Sequence, residues 1–284
     1  MAYRQLPLSW YIILFMNCIR THFQPFQPTI EHTSPSLISY EEIQPSEKLE
    51  NYIYCYWRLH TKEKLEEPYL YRVVSDGCID ILFEQSRPEQ VFINGFSPKY
   101  IEFELEPTFD YLGIRFLPTG YPTLFDTSAD TLTNQFLPLG QVNTTIDTAI
   151  KNNVVGKLDL ASSKKVFDTL FASFLDQDAP PSIDQRFENA LNQILEAHGH
   201  IAITDLDVGL SERQLRRLFK FYFGESGKAF SKIVRFQNIL AAKPSTQSLK
   251  HQKIYYSNGY YDQAHFIKEF KEFYGVTPSR AFGK

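Results

Sequence analysis

The C-terminal third of the chain carries apolar positions with the period of an amphipathic helix. In GYYDQAHFIKEFKEFYGVTP, residues 259–278, phenylalanines recur at spacings of four and three and share one helical face: Phe266, Phe270, Phe273. Asp262 is suited to cap the first turn, because its short side chain can accept free backbone N–H groups. Gly275 supplies a C-terminal stop. The pattern predicts a helix over about residues 263–274.

A second stretch, GLSERQLRRLFKFYFG at residues 209–224, repeats this plan fifty-one residues earlier. Ser211 stands where Asp262 stands in the first stretch, and it forms a capping-box pair with Gln214. One face of the predicted helix is apolar: Leu215, Leu218, Phe219, Tyr222. Another face is cationic: Arg213, Arg216, Arg217, Lys220. The first face can pack in a core, and the second is suited to anions.

Short apolar and aromatic runs alternate with turn residues from about residue 45 to residue 126. The runs predict strands at 52–60, 69–74, 78–85, 90–96, 100–106 and 110–116. Within them, IEFEL alternates apolar and charged positions, as in a strand with one buried face. The pattern predicts an all-β, barrel-like or sandwich domain. With the helical pattern that follows, the fold class is α+β multidomain.

Residues 146–176 are predicted to form connecting helices with an apolar ladder: Val166, Phe167, Leu170, Phe171, Phe174. This ladder could pack on the β domain or pair with its copy in a dimer. It ends in DQDAPPSID, whose two prolines and polar flanks indicate a linker. We therefore expect an irregular N-terminal extension, a β domain, connecting helices, a linker and a helix-turn-helix domain at 1–37, 38–145, 146–176, 177–185 and 186–284. The apolar run at 6–19 is too short to span a bilayer.

The net charge of −4 hides two parts of opposite sign. Residues 182–284 hold 15 Lys and Arg against 10 Asp and Glu, whereas residues 1–181 hold 14 against 23. A basic C-terminal part, with the helix caps and glycine stops that are typical of a helix-turn-helix, fits a module that contacts phosphates.

Each capped helix follows a shorter helical run and a glycine turn, at 203–206 before Gly209 and at 252–256 before Gly259. This is a helix-turn-helix arrangement, present twice, with a predicted helix at 229–240 between the units. The stretches LSERQLRRLF, RFQNIL and YYDQAHFIKEFKEFYGVTP resemble the DNA-binding module of the AraC/XylS family of transcription regulators. The resemblance covers residues 186–282.

The β region resembles, less specifically, the cupin-like sensory domain found in front of some AraC-type modules. The resemblance rests on YIYCYW, VVSDGCIDILF, FINGF and YLGIRFLPTGY, in that order. Ser75 replaces the usual proline of a P-D-G turn. We expect this to matter little, since Asp76 and Gly77 still form the turn.

The resemblance implies that the two capped helices enter successive major-groove faces of one bent duplex. The residues at the matching DNA-contacting positions of the first helix are Ser211, Arg213, Gln214, Arg216, Arg217 and Lys220. In the second helix they are Gln263, His265, Ile267, Lys268 and Lys271. The arginines suit guanine edges, Lys220 a phosphate, and Ile267 a thymine methyl group. For His265, a capping or phosphate role is as well supported as base reading.

The sequence departs from the family pattern in its supporting helices. ITDLDVGLS is about two residues shorter than the usual spacing in the first unit, and Tyr255 stands where a small residue normally lets helices approach. The segment 243–253 is also unusually polar. One half-module that binds DNA weakly therefore stays an alternative.

The β region offers little for catalysis or for a metal. His60 is the only histidine within residues 45–126, and Cys18, Cys55 and Cys78 have no metal-ligand spacing. We expect neither a catalytic site, a metal nor a cofactor. Candidates for a ligand pocket are Trp57, Arg72 and Arg115, because an arginine in an apolar strand needs an anionic partner. The alternative is that Arg115 merely pairs with a Glu residue.

These features together predict a cytoplasmic, sequence-specific DNA-binding transcription regulator that is not an enzyme. Its expected partner is double-stranded promoter or operator DNA, without membrane association. A small-molecule effector, a second copy of the chain and RNA polymerase, if the protein activates, are further candidate partners. The alternatives are an interaction protein whose helix-turn-helix no longer binds DNA specifically, and an enzyme with a DNA-binding tail.

Overall fold

The computed structural model describes residues 19–27, 37–177, 182–242, 260 and 262–282. A β-rich part over residues 38–138 is followed by helices, as the sequence predicts. None of the helices in these ranges combines the length and the apolarity that a membrane-spanning helix requires.

The strands form two antiparallel sheets. Their bounds are β1 Ile38–Ile43, β2 Ile53–Thr61, β3 Tyr69–Val73, β4 Ile79–Glu84, β5 Val91–Asn94, β6 Ile101–Leu105, β7 Asp110–Phe116 and β8 Phe136–Pro138. The larger sheet has the order β1-β2-β7-β4-β5-β8, and β3 pairs with β6 in a separate ribbon. The six predicted strands are confirmed, and β1 and β8 are additional. Both lie at the edges of the larger sheet, where a strand needs no continuous apolar run.

Both faces of the larger sheet are covered. Helix α1 Gly120–Phe125 lies between β7 and β8, and helices α2 Leu139–Val142, α3 Thr144–Asn153 and α4 Leu160–Gln177 follow β8. Phe167 and Phe171 of α4 are fully buried against sheet residues such as Ile114, so the apolar ladder packs on the β domain. Each fully buried phenylalanine contributes roughly 1.5–3 kcal/mol. The β3–β6 ribbon covers part of the other face, and neither sheet closes into a barrel within the described residues.

The helical part has the predicted order. It comprises α5 Gln185–Glu196, a 3₁₀ turn at Ile203–Asp205, α6 Glu212–Phe223, α7 Gly227–Ala241, α8 Gln263–Tyr274 and α9 Pro278–Ala281. The first supporting run is thus a single 3₁₀ turn that ends at Asp205. The predicted second supporting helix at 252–256, with Tyr255, lies outside the described residues.

The core of the helical part includes residues from the β-rich part. Val74 and Phe96 are buried together with Phe223, Phe230 and Ile233. The rings of Phe96 and Phe223 lie 4.5 Å apart between centroids. The helices therefore do not form an isolated hydrophobic unit, because the β-rich part contributes side chains to their core.

Candidate nucleic-acid interface

Helix α6 begins with the predicted capping box. The Ser211 hydroxyl accepts a hydrogen bond from the Gln214 backbone N–H at 3.3 Å, and the Gln214 side-chain oxygen accepts one from the Ser211 N–H at 2.9 Å. At the other end, Gly224 takes up the left-handed conformation with φ of 88°. Leu215 and Phe219 point into the core, which fixes the rotation of the helix about its axis.

The cationic stripe of α6 is exposed to solvent. Arg213, Arg216, Arg217 and Lys220 are all exposed. They line a cleft of about 670 Å³ together with Ser128 and Asp130. The structure thus brings the predicted residues of the first helix together on one surface, and one carboxylate, that of Asp130, lines the same cleft.

Helix α8 begins at the predicted Asp262 cap, whose carboxylate accepts a hydrogen bond from the His265 backbone N–H at 2.7 Å. Gln263, His265, Lys268 and Lys271 are exposed. Ile267 differs from them, because it is half-buried and packs against the helical core. The second helix therefore presents a less cationic face than the first, and part of its Ile267 side chain is used in packing.

A buried carboxylate, which the sequence patterns had not singled out, joins α8 to α7. Glu269 is buried, and its Oε2 lies 2.7 Å from the Lys232 ammonium and 3.9 Å from the His265 ring. The Arg235 guanidinium lies 3.9 Å from the other carboxylate oxygen and stacks over the ring of Tyr260. The burial of Glu269 could have been predicted from helical spacing, since Glu269 follows Phe266 by three residues on the buried face.

The β-rich part holds a small cavity between its two sheets. The cavity has a volume of about 80 Å³, and it is lined by Trp57, Leu59, Tyr71, Val73, Asp80, Leu82, Asn94, Phe103, Leu105, Tyr111, Arg115 and Phe136. Two of the three predicted pocket residues, Trp57 and Arg115, are among them. Arg72 is not, because its guanidinium pairs with Glu102 at 2.6 Å and stacks over Tyr100.

Arg115 already has anionic partners. Its buried guanidinium lies 3.2 Å from Asp80, 3.5 Å from Asp76 and 3.8 Å from Glu42. Asp80 also accepts a hydrogen bond from the Trp57 indole N–H at 2.7 Å. Burial raises the pKa of Asp80 to about 6, although Arg115 opposes the shift. The partners are two aspartates as well as one glutamate, so carboxylates outnumber the cation in this cluster.

The described residues contain no group of three His, Cys, Asp or Glu side chains that could hold a metal ion. Cys55 and Cys78 are free and buried. Burial raises the pKa of both thiols, which keeps them protonated and unreactive near neutral pH. Cys18 lies outside the described residues.

Two family models match the chain. Residues 41–138 match a family described as a domain of unknown function, DUF6597, and residues 207–283 match a family described as a helix-turn-helix domain. No curated protein matches the sequence.

Among solved structures, the chain is similar to ToxT from Vibrio cholerae. The crystal structure from strain O395 has a TM-score of 0.38 at 10% identity, over 87% of this chain and 97% of that chain. ToxT bound to (E)-4-(8-methylnaphthalen-1-yl)but-3-enoic acid has a TM-score of 0.40 at 10% identity, over 87% and 98%. Unsaturated fatty acid bound ToxT from strain SCE256 has a TM-score of 0.37 at 10% identity, over 87% and 94%. TM-scores this low do not establish a common fold.

The C-terminal match agrees with the geometry of the two capped helices. An apolar face is buried in a common core, and polar and cationic faces are left exposed. Residues 207–283 are therefore an AraC-type helix-turn-helix domain, and the chain carrying it is a DNA-binding transcription regulator with a β-rich domain at its N-terminal side.

Proposed function

We propose that the chain binds a specific operator through both capped helices, with α6 as the main reader of base sequence. Arg213, Arg216 and Arg217 would address guanine edges, because a guanidinium can donate two hydrogen bonds to O6 and N7. Lys220 and Lys271 would contact phosphates. On α8, Gln263 is suited to adenine, and Lys268 to a base or a phosphate.

One observation carries this proposal: the exposed arginine stripe lies on a helix that is capped at both ends and anchored by its apolar face. A rigid helix can hold several arginines in register with base pairs. A cationic stripe on a helix is often only a solvated face, but this one lies within the residues that match a helix-turn-helix family. The alternative is an interaction protein whose helix-turn-helix no longer binds DNA specifically. It is favoured only by the short 3₁₀ turn that replaces the first supporting helix.

Binding of the full-length chain to duplex DNA is expected to weaken steeply with salt. Each neutralised phosphate contributes about −0.9 to the slope of log K against log salt concentration, so four contacts give roughly −3.6. Electrophoretic shift titrations on a duplex obtained by binding-site selection measure this slope. A slope near zero, or selection that returns no motif, would favour the interaction protein over the DNA-binding regulator.

We further propose that the cavity between the sheets takes a small effector that is mostly apolar and carries no negative charge. The cavity walls are largely aromatic and aliphatic, for example Trp57, Tyr71 and Phe103. An anionic group would join Asp80 and Asp76 beside a single guanidinium, and burying an uncompensated charge is costly. A hydroxyl group, in contrast, can donate a hydrogen bond to the Asp80 carboxylate.

A matched pair of ligands tests this chemistry. A small aromatic alcohol is expected to raise the melting temperature of the full-length chain, and the carboxylate with the same ring is expected to have no effect. The variant Leu105→Trp, which fills the cavity, is the control and should abolish the shift. Stabilisation by the carboxylate alone would show that Arg115 is available to anions.

Cytoplasmic location, dimerisation and contact with RNA polymerase are part of the same proposal. The α4 ladder is the surface that the sequence offered for a dimer, but Phe167 and Phe171 are buried against the sheet. A homodimer would therefore have to use a different surface.

A further inference from the structure

Both recognition helices end on a glycine in the left-handed conformation, and the β-rich domain contacts both ends. The glycines are Gly224 after α6, with φ of 88°, and Gly275 after α8, with φ of 94°. They occupy equivalent places in the two repeated units. The last carbonyl groups of a helix have no partner within it, so each end needs hydrogen-bond donors from elsewhere.

The end of α6 rests on residues 129–133. The Thr133 hydroxyl donates a hydrogen bond to the Gly224 carbonyl at 3.0 Å. The fit is tight, because a Cβ atom added to Gly224 would lie 2.3 Å from the Thr133 hydroxyl and 2.9 Å from the Ala129 carbonyl oxygen. Phe223, the last residue of α6, stacks near Phe96 of the β-rich domain.

The end of α8 receives two backbone donors from the β-rich domain. The Ser75 N–H donates to the Phe273 carbonyl, and the Tyr100 N–H donates to the Glu272 carbonyl, each at 3.2 Å. A Cβ atom on Gly275 would lie 3.0 Å from the Tyr100 ring. The serine that stands at position 75 in place of the usual proline therefore matters more than the sequence suggested. A proline at this position would have no N–H to donate.

The turn that contains Ser75 also reaches the helix between the two units. The Gln237 side chain on α7 donates a hydrogen bond to the Ser75 carbonyl at 2.8 Å. A Cβ atom on Gly77 would lie 3.1 Å from the Phe223 ring. A single tight turn thus contacts α6, α7 and the end of α8.

We propose that the β-rich domain clamps the C-terminal ends of α6 and α8, and that this clamp sets the distance between the two recognition helices. The positioning residues are Ser75, Tyr100 and Thr133. If the helices read DNA as proposed above, the clamp also sets the spacing of the two half-sites in the operator. The distance between the helices is a property of the protein alone and can be tested without DNA.

Spin labels attached to Lys220→Cys and Lys271→Cys report this distance by pulsed electron–electron double resonance. Both positions are exposed and can therefore be labelled. Cys18→Ser provides the background, and the buried Cys55 and Cys78 react poorly with the label. Gly224→Ala and Ser75→Pro break the clamp at α6 and α8, respectively. The control for Gly224→Ala is Gly156→Ala, because Gly156 also has a positive φ, of 72°, but an added Cβ atom would have no neighbour within 4 Å. The control for Ser75→Pro is Ser75→Ala, which keeps the backbone N–H.

A narrow distance distribution is expected for the parent and both controls, with a shifted or broader one for Gly224→Ala and Ser75→Pro. Circular dichroism checks that each variant is folded. Should Gly224→Ala fail to fold, Ser75→Pro against Ser75→Ala still decides the matter at the α8 end. Parent-like distributions in the folded clamp variants would overturn the proposal.

The same clamp substitutions, made in the chain that keeps Lys220 and Lys271, separate the clamp from the proposed function. On the selected operator, one base pair inserted between the half-sites is expected to weaken parent binding by about tenfold, which corresponds to about 1.4 kcal/mol. The clamp variants should lose less affinity on the same insertion. Absence of DNA binding with a narrow parent distribution would refute the proposed function and leave the clamp standing. Equal spacing dependence in the parent and both clamp variants would refute the clamp's role in DNA reading.

Discussion

Replacing Arg115 by Met is expected to lower the free energy of unfolding by about 3–5 kcal/mol, because it leaves buried carboxylates without their cation. Asp80 and Asp76 lie 3.2 Å and 3.5 Å from the guanidinium, and both are buried. Denaturation of the full-length chain in urea, followed by circular dichroism, measures the loss. The methionine keeps most of the apolar volume, so the effect reports charge rather than a cavity.

The matched control is Arg72→Met, which removes an ion pair with Glu102 that is partly exposed. Exposed pairs contribute about 0–1 kcal/mol, so this variant should lose much less stability. Adding Asp80→Asn to Arg115→Met should recover part of the lost stability, because one of the uncompensated carboxylates is then neutral. If Arg115→Met cost no more than Arg72→Met, the cluster would not be a buried electrostatic centre.

The second large effect is expected in base specificity. Arg213→Ala or Arg217→Ala should relax the preference at one base pair, since a bidentate arginine–guanine pair discriminates by roughly 1–3 kcal/mol. Lys271→Ala should weaken binding to all sequences alike, because a phosphate contact carries no sequence information. Binding-site selection with each full-length variant distinguishes the two outcomes. Lys165→Ala, an exposed lysine on α4, is the control for lost charge.

Two structural features favour the opposite assignment, in which α8 rather than α6 is the main reader of base sequence. The run before α6 is a single 3₁₀ turn, so the first unit has less support than a full helix would provide. In the second unit, the buried Glu269 carboxylate ties α8 to Lys232 on α7. Selection with Lys268→Ala therefore completes the set. A changed motif in this variant alone would make α8 the reader of sequence.

The elements with local signals were predictable. Helix α8 follows from three spaced phenylalanines between Asp262 and Gly275, and its bounds are those predicted. Strand β1, ISYEEI, has no such signal, because it lies at a sheet edge and half of its residues are polar. Periodicity tells which side of an element is buried but not which segment covers it.

The candidate sites divide in the same way. The cationic face of α6 follows from helical spacing alone, whereas the partners of Arg115 depend on the sheet order that brings β4 beside β7. Arg72 looked equivalent to Arg115 in sequence, but it lies on the β3–β6 ribbon opposite Glu102. The role of the Ser75 N–H could not be predicted, because it depends on how the two parts of the chain pack.

The shared core limits how freely this helix-turn-helix region can be exchanged between proteins. Phe223 and Phe230 are buried with Val74 and Phe96, which lie more than a hundred residues away in the sequence. A chimera that joined residues 182–284 to an unrelated sensory domain would expose these aromatic rings unless the new partner supplied matching apolar side chains.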